Sequence, residues 1–545
     1  MKLHKISLFV IGGLVAMSCS DIDSTNPEMG AITGDQSKEV NDMVPERVEA
    51  TFNGMFSMMA KPYGLYQVSF DNQRADDFGF ITMALSQDCE GADVVMGDNG
   101  FNWFSAALEL STRNADYANP YIRYIMPYKQ LGIANEIIAS FPEDTQSPDA
   151  VNKMAQARAI RAFDYMSLAP YFQVRYVDGK ELPCVPLLDG KHEYGNNPRA
   201  TVEEVYKAVM EDLDYAVANL TADRSDKSKV NVNVAYGLRA RAHLAMGMYA
   251  EAAADAEKAM AGYTPATMSE VSVPTFCNIN EHNWIWGIDI TDAMANDGGY
   301  ATSSSWISAF SGDGYAPATG NVPTINVLLY DMISATDVRK GWWLDVNRHS
   351  DNWANLTWAG AQGDAIADLV MDDDSKIEFG PYTSIKFGQQ SGVGSTLNNN
   401  DWPLMRVEEM ILIQVEGLAK SGKESLARQV LENFVKTYRD PGYTVDGRGL
   451  TLDNEIWFQR RVELWCEGFF TSDARRLNKN IVRFHAGAPS NMPDAFKFNV
   501  KADDPWLNMR FCTSETNSNA GIIDNKGGEQ PTPGQNADLK DGVTD

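Results

Sequence analysis

The sequence predicts a mainly α-helical protein, a scaffold of helical pairs broken by long irregular inserts that carry a few short strands. Three observations predict it: a capped apolar stripe starting at Thr201, a small-residue helix pair turning at Gly247, and a second pair turning at Gly422. The Thr201 hydroxyl is placed to cap a helix, and Glu204 three residues on completes a capping box. Val202, Val205, Val209, Leu213, Ala216 and Leu220 then recur on one helical face. Between Ala235 and Met260, the small face made by Ala235, Leu238, Ala242 and Ala245 stops at Gly247, and Ala252, Ala256 and Ala259 resume it beyond Tyr249. Glycine permits the tight turn and the alanines allow close helix approach, which makes the pair tetratricopeptide-like. Met410, Ile411, Val415 and Leu418 lead in the same way to Ser421-Gly422-Lys423, with Leu426, Ala427, Val430 and Leu431 beyond. Two more helices fit the frame, Tyr121 to Phe141, interrupted at Pro127, and Met154 to Tyr171.

The scaffold is interrupted at about 69–118 and 262–400, and irregular inserts on rigid scaffolds commonly carry binding function. Trp284 and Trp286 alternate with Ile285 and Ile288 as in a strand, while Trp342 and Trp343 beside Arg339 read as scaffold packing. No Pro-, Gly- or Ser-rich linker divides residues 45–512, which are expected to form a single domain. From about 513 the run Thr513-Ser514-Glu515-Thr516-Asn517-Ser518-Asn519 opens what reads as a polar C-terminal tail to 545.

At the amino end Lys2 and Lys5 precede an apolar run, Ile6 to Met17, that is too short to span a bilayer. It reads as a signal peptide of residues 1–18, with small residues at Ala16 and Ser18 and Cys19 directly after. Cys19 is the expected lipidation site, and 19–44 the lipid anchor and tether; Ala16 and Met17 depart from the usual lipobox, so plain cleavage after Ser18 is the alternative. The acidic stretch Ser20-Asp21-Ile22-Asp23 resembles the signal that carries some lipoproteins to the outer face of the outer membrane.

With 74 acidic and 46 basic residues the formal charge is −28, which disfavours nucleic acid and anionic lipid surfaces and leaves neutral ligands as the easy partners. Six histidines, and five widely spaced cysteines beyond Cys19 (Cys89, Cys184, Cys277, Cys466 and Cys512), make no legible zinc site or disulfide framework. Asp372-Asp373-Asp374 lacks the glycine and terminal glutamate of a calcium loop, so a solvated turn is expected and no metal or cofactor is assigned. HExxH, GxSxG, Walker A and dinucleotide fingerprints are all missing, although a glycosidase needs only two suitably spaced carboxylates. Glu463 and Glu467 lie one turn apart, but Arg460, Arg461, Trp465 and Phe469 around them favour buried ion pairs that fix helix orientation. Arg158, Arg161 and Arg406 are expected to act likewise.

Several blocks, in this order behind the lipoprotein-like leader, resemble the SusD/RagB family of outer-membrane nutrient-binding lipoproteins over nearly the whole chain. They are Arg158-Ala159-Ile160-Arg161-Ala162-Phe163-Asp164-Tyr165 with Pro183 and Pro186, the helices at Thr201 and Gly247, Asp337-Val338-Arg339, Lys386-Phe387-Gly388, Pro403 to Glu409, and Arg460 to Gly468 with Asp473, Arg475 and Arg476. The resemblance implies four tetratricopeptide-like units and a variable glycan-binding face. It also implies a lipid-anchored, outward-facing place in the outer membrane beside a SusC-like TonB-dependent transporter.

Sugar rings are recognised by flat aromatic faces flanked by polar side chains. The first insert offers Asp88, Asn102, Trp103 and Phe104, where the starch-binding member places part of its aromatic arc; the second offers Tyr300, Trp306, Phe310 and Tyr315. Trp306, set among Ser and Gly with few apolar neighbours, is the foremost candidate, although most aromatics in such a chain are core residues. The expected function is non-enzymatic capture of an oligo- or polysaccharide and delivery to the transporter. The alternatives are a peptide-delivering member of the same family, a tetratricopeptide adaptor that binds only protein, and a glycosidase.

Overall fold

The computed structural model describes residues 45–60, 79–97, 102–173, 175–189, 195–296, 307–312, 322–371, 375–376, 379–397 and 399–545. Its frame is helical: α1 (Pro45–Ser57), α2 (Gly79–Glu90), α3 (Asn102–Leu108), α4 (Ala118–Ala139), α5 (Pro148–Phe172), α6 (Val202–Asn219), α7 (Val232–Met246) and α8 (Tyr249–Ala259), then α9 (Val407–Lys420), α10 (Glu424–Tyr438), α11 (Leu452–Glu463) and α12 (Phe470–Arg476). Each helix from α4 to α8 packs on the next, α8 packs on α9, and α9 on both α10 and α11. The stack is therefore continuous in space although about 145 residues separate α8 from α9 in sequence, and the second insert is looped out of it.

Local chemistry sets the breaks. The capping box at Thr201 forms as expected, with the Glu204 backbone N–H donating to Thr201 Oγ1 and the Thr201 N–H donating to Glu204 Oε2. Gly247 turns α7 into α8 at φ +75°, a conformation that costs glycine least. Close approach of α8 and α9 rests on Gly417, where a Cβ would stand 2.5 Å from the Tyr249 carbonyl oxygen and 2.9 Å from Ala253 Cβ. We expect Gly417→Val to prise these helices apart at a cost of about 1–3 kcal/mol, read as a lower urea midpoint with unchanged slope.

Short strands close the second insert at its base. Strand β2 (Trp284–Ile288) pairs antiparallel with β4 (Trp402–Arg406), Trp284 opposite Arg406 and Ile288 opposite Trp402, and every residue of both is buried. Trp284 and Trp286 thus form the strand that their alternation predicts, and Trp342 and Trp343 are core residues. Strand β1 (Val94–Val95) pairs antiparallel with β3 (Thr324–Ile325). Inside the insert, Phe310, Trp353, Trp358, Ile366 and Phe379 make a separate small core. Among the described residues no helix is long and apolar enough to cross a membrane.

Three expectations change. Helix α4 runs through Pro127 without interruption, because packing against α1 and α5 outweighs the one backbone bond a proline forfeits. Among its described residues the first insert carries two helices, α2 and α3: all of α2 but Phe80 is buried, so it shows no amphipathic stripe for periodicity to reveal. Residues 513–545 are not a loose tail but lie against the body, with Val543 and Asp541 buried and Asn519 exchanging hydrogen bonds with the Asn197 backbone.

Candidate functional site

The ladder β1–β3 lies midway along each insert and pairs the residues just before 98 with those just after 321, the root of the stretches whose sequences carry Trp103 and Tyr315. Val94 faces Ile325 and Val95 faces Thr324, so the chain enters the later half of the first insert beside the point where it enters the later half of the second. Asp93, one residue before β1, fixes this junction. Its carbonyl accepts the Asn326 N–H at 2.9 Å and the Trp465 indole N–H at 3.0 Å, and its carboxylate forms an ion pair of 2.6 Å with Arg461. Arg461 uses its other arm on Asp541, also at 2.6 Å, so α11 clamps the insert root and the C-terminal segment together. Asn326 adds bonds from its side-chain amide to the Ala92 and Arg483 carbonyls.

The second insert has an anchor of its own. Gly312 donates its N–H to the Ser395 carbonyl and Gly394 donates to Phe310, an approach so close that a Cβ on Gly312 would collide with the Gly394 backbone. This tether fixes residues 307–312 in the middle of the stretch that carries Trp306 and Tyr315. Trp306, Tyr300, Tyr315, Asp372-Asp373-Asp374 and Cys19 lie outside the described residues; Asn102 and Trp103 open α3 by their backbones, and their side chains also lie outside.

Two expectations in this region are corrected. Asp88 offers no exposed carboxylate: at 3 % exposure it accepts the N–H groups of Gly468 (2.7 Å), Phe469 (3.1 Å) and Phe470 (2.9 Å), holding the turn into α12. Burial pushes its pKa up to about 7 against these donors. Phe104 and Phe310 are fully buried, Phe310 against Trp358 and Phe379. A residue absent from the sequence reading is Tyr382, half-buried in the turn Gly380-Pro381-Tyr382 at φ +66°, its ring edge-on to Tyr330 at 5.2 Å and its carbonyl accepting the Ile325 N–H of β3. A bulky residue held in the left-handed region beside the junction is the kind of strain found at functional sites, and an aromatic in a Gly-Pro turn was its only sequence signal. Tyr330 borders a groove of about 950 Å³ lined also by Lys340, Asp345, His349 and Asn355.

The tryptophans sort themselves. Of twelve in the sequence, ten are buried in the core; the side chains of the other two, Trp103 and Trp306, one in each insert, lie outside the described residues.

Beneath the junction lies a buried ionic cluster that joins insert to scaffold. Arg339 and Lys386 come from the insert, Arg406 precedes α9 and Arg439 follows α10; their partners are Asp337, Glu408, Glu463 and Glu467. Burial alone would raise the Glu463 carboxyl, but Arg439, Arg406 and Arg339 together hold it well below the usual carboxylate range. The charged block that includes Glu463 and Glu467 is thus structural, as its neighbours predict, and Arg158 and Arg161 likewise meet Asp212. Among the described residues no group of His, Cys, Asp and Glu is placed to hold a metal ion, and the five cysteines there are unpaired.

A second ion pair sets an acid limit. Burial raises the Glu416 carboxyl, but Arg476, at 2.6 Å, and Lys420 bring it down to about 2 from an ordinary 4.5. A depressed pKa stabilises the fold in full above the unfolded value, and that contribution disappears as pH falls from about 4.5 towards 2. We expect Glu416→Gln to be less stable at neutral pH by about 3 kcal/mol and to show a shallower loss between pH 4.5 and 2, followed by urea titration at each pH.

Comparison with known proteins agrees with this architecture. A family model described as the SusD family matches residues 364–536, and one described as starch-binding, associating with the outer membrane, matches residues 67–244. No curated protein matches the chain. Among solved structures, a SusD-like carbohydrate-binding protein from Bacteroides vulgatus superposes with a TM-score of 0.68 at 21 % identity, over 88 % of this chain and 97 % of that one. A SusD superfamily protein from Bacteroides thetaiotaomicron gives 0.66 at 17 % identity over 88 % and 99 %. A laminarin-binding SusD-like protein gives 0.59 at 17 % identity over 88 % and 99 %. At these identities the superpositions speak for the fold, and together with the two family models they lead to one assignment: this chain belongs to the SusD/RagB family.

Proposed function

We propose that the chain captures an oligo- or polysaccharide without chemical conversion, from a position on the outer membrane held by lipidation at Cys19, and passes it to a SusC-like TonB-dependent transporter. The observation that carries the reading is the pairing of β1 with β3, which ties together the two inserts whose sequences supply Trp103, Tyr300, Trp306 and Tyr315. Stacking on Trp103, Trp306, Tyr300 and Tyr315 would supply affinity for ring shape, and polar neighbours such as Asn102 would select linkage. The acidic surface suits a neutral glycan, and the relatives described as carbohydrate-binding, laminarin-binding and starch-binding are consistent with one.

Affinity electrophoresis of the mature, unlipidated protein through gels cast with starch, laminarin and other polysaccharides tests this. Selective retardation without new reducing ends is expected, with affinity falling about 30-fold in Trp306→Ala or Trp103→Ala, as for a central stacking contact. Passage through every gel without retardation overturns glycan capture, and released sugars overturn the non-enzymatic reading.

A further inference from the structure

Between α2, α5, α7, α9 and α12 lies a cavity of about 160 Å³, to which the first insert contributes Phe80, Ala84 and Gln87 and the scaffold helices most of the rest. Phe80, Phe163, Leu244, Trp402, Leu404 and Phe469 supply its apolar wall. Five arginines also line it, of which Arg175 pairs with Asp178. Arg241 forks onto Glu409, both bonds at 2.7 Å, while Arg460 and Arg476 share Asp473, and Arg476 also holds Glu416. Arg475 has no carboxylate. Its Nη2 donates to the Gln173 carbonyl at 2.6 Å and to Asn508 Oδ1 at 2.5 Å, both neutral. Glu467, the remaining lining carboxylate, is held by Lys386 and Arg406, so among the described residues Arg475 is the lining arginine that meets no carboxylate.

The hydrogen-bond inventory of the same wall is also incomplete. Arg475 Nη1, Arg460 Nη1 and Gln87 Oε1 are all sealed from solvent, all belong to lining residues, and none has a partner. Buried polar groups are rarely left unpaired, and here two donors and an acceptor are left on one cavity. Partly exposed Met166, Pro170, Ala245 and Ser472 form its rim, so the space communicates with solvent. A cavity of roughly 150 Å³ accommodates a benzene-sized ring.

We propose that this cavity is a second ligand site, for a small organic anion: a carboxylate on a single ring-sized body, its oxygens accepting from the Nη1 groups of Arg475 and Arg460 while a ligand hydroxyl donates to Gln87 Oε1, the three side chains turning toward the space as the ligand enters. An acidic pyranose and an aromatic hydroxy acid share this chemistry. The site is independent of the polysaccharide face proposed above.

Isothermal titration calorimetry of the full mature chain with glucuronate and with 4-hydroxybenzoate, against glucose and 4-hydroxybenzyl alcohol, tests it and separates the two sources. One acid is expected to bind saturably and its neutral counterpart at least ten-fold more weakly. Arg475→Met should weaken the acid at least ten-fold, Arg475→Lys by much less, and neither should change polysaccharide retardation. Should Arg475→Met not fold, Ala245→Phe fills the rim from α7 and should abolish acid binding while leaving polysaccharide retardation intact. No saturable heat with either acid at millimolar concentration, equal binding of acid and neutral counterpart, or undiminished binding in Arg475→Met or Ala245→Phe would each overturn the proposal. Loss of polysaccharide binding from the unmodified protein would count against the glycan reading alone.

Discussion

Replacing Glu463 with alanine is expected to cost about 3–5 kcal/mol, enough to remove much of the stability of an ordinary domain. One carboxylate here answers three guanidiniums: Arg406 at 3.1 Å, Arg439 at 2.9 Å and Arg339 at 3.3 Å, all fully buried. Without it the cluster keeps four cations against Asp337, Glu408 and Glu467, all of them buried. Glu463→Gln preserves volume and one acceptor, so it should lose less than the alanine variant yet remain well below the parent. Soluble yield and urea unfolding followed by tryptophan fluorescence would measure both. A loss under about 1 kcal/mol for Glu463→Ala would mean that the cluster hydrates or repacks and does not lock the insert to the scaffold. The same logic makes Arg406 a poor site for lysine, since it forks onto Glu467 while also reaching Glu408 and Glu463.

Asp93→Ala should act on binding as strongly as on stability. The substitution leaves Arg461 with Asp541 alone and frees the root of the first insert from α11. The expected result is a loss of about 3 kcal/mol in stability, as for other broken buried pairs, with polysaccharide affinity down ten-fold or more although no ligand contact is removed. A double-mutant cycle with Arg461→Met should show a coupling of about 1–3 kcal/mol. Unchanged retardation in Asp93→Ala would show that the β1–β3 junction does not position the glycan face.

Most of the helical frame was legible because its segments are half-buried, capped and separated by glycine turns. Thr201 with Glu204, Gly247 and the stripe through Ala427 and Leu431 signal helix from neighbours a few residues away, although Leu426, expected in that stripe, is exposed. Local pattern fails where a segment is buried on all sides, as in α2, or where tertiary packing overrides a breaker, as at Pro127. Asp88 shows why site residues are harder: its three donors lie some 380 positions away in sequence, so nothing near it distinguishes a surface carboxylate from one that holds a turn. The ionic reading of Arg460 to Glu467 succeeded because aromatic neighbours within one or two helical turns already implied burial. The polar composition of 513–545 misled because a few residues, Asn519, Asp541 and Val543, do the anchoring for many.

The clamp at Arg461 also orders events in time. It joins residues 368 positions apart on one arm and 80 apart on the other, so it closes only after the chain has emerged through Asp541 and the intervening scaffold has collapsed. Contacts of such separation form late and slowly, after local helix pairs are in place. A truncated or half-folded chain can thus possess most of its helices and still lack the junction that sets the two inserts side by side. Assembly of the insert face becomes a late step of maturation, coupled to the arrival of Asp541.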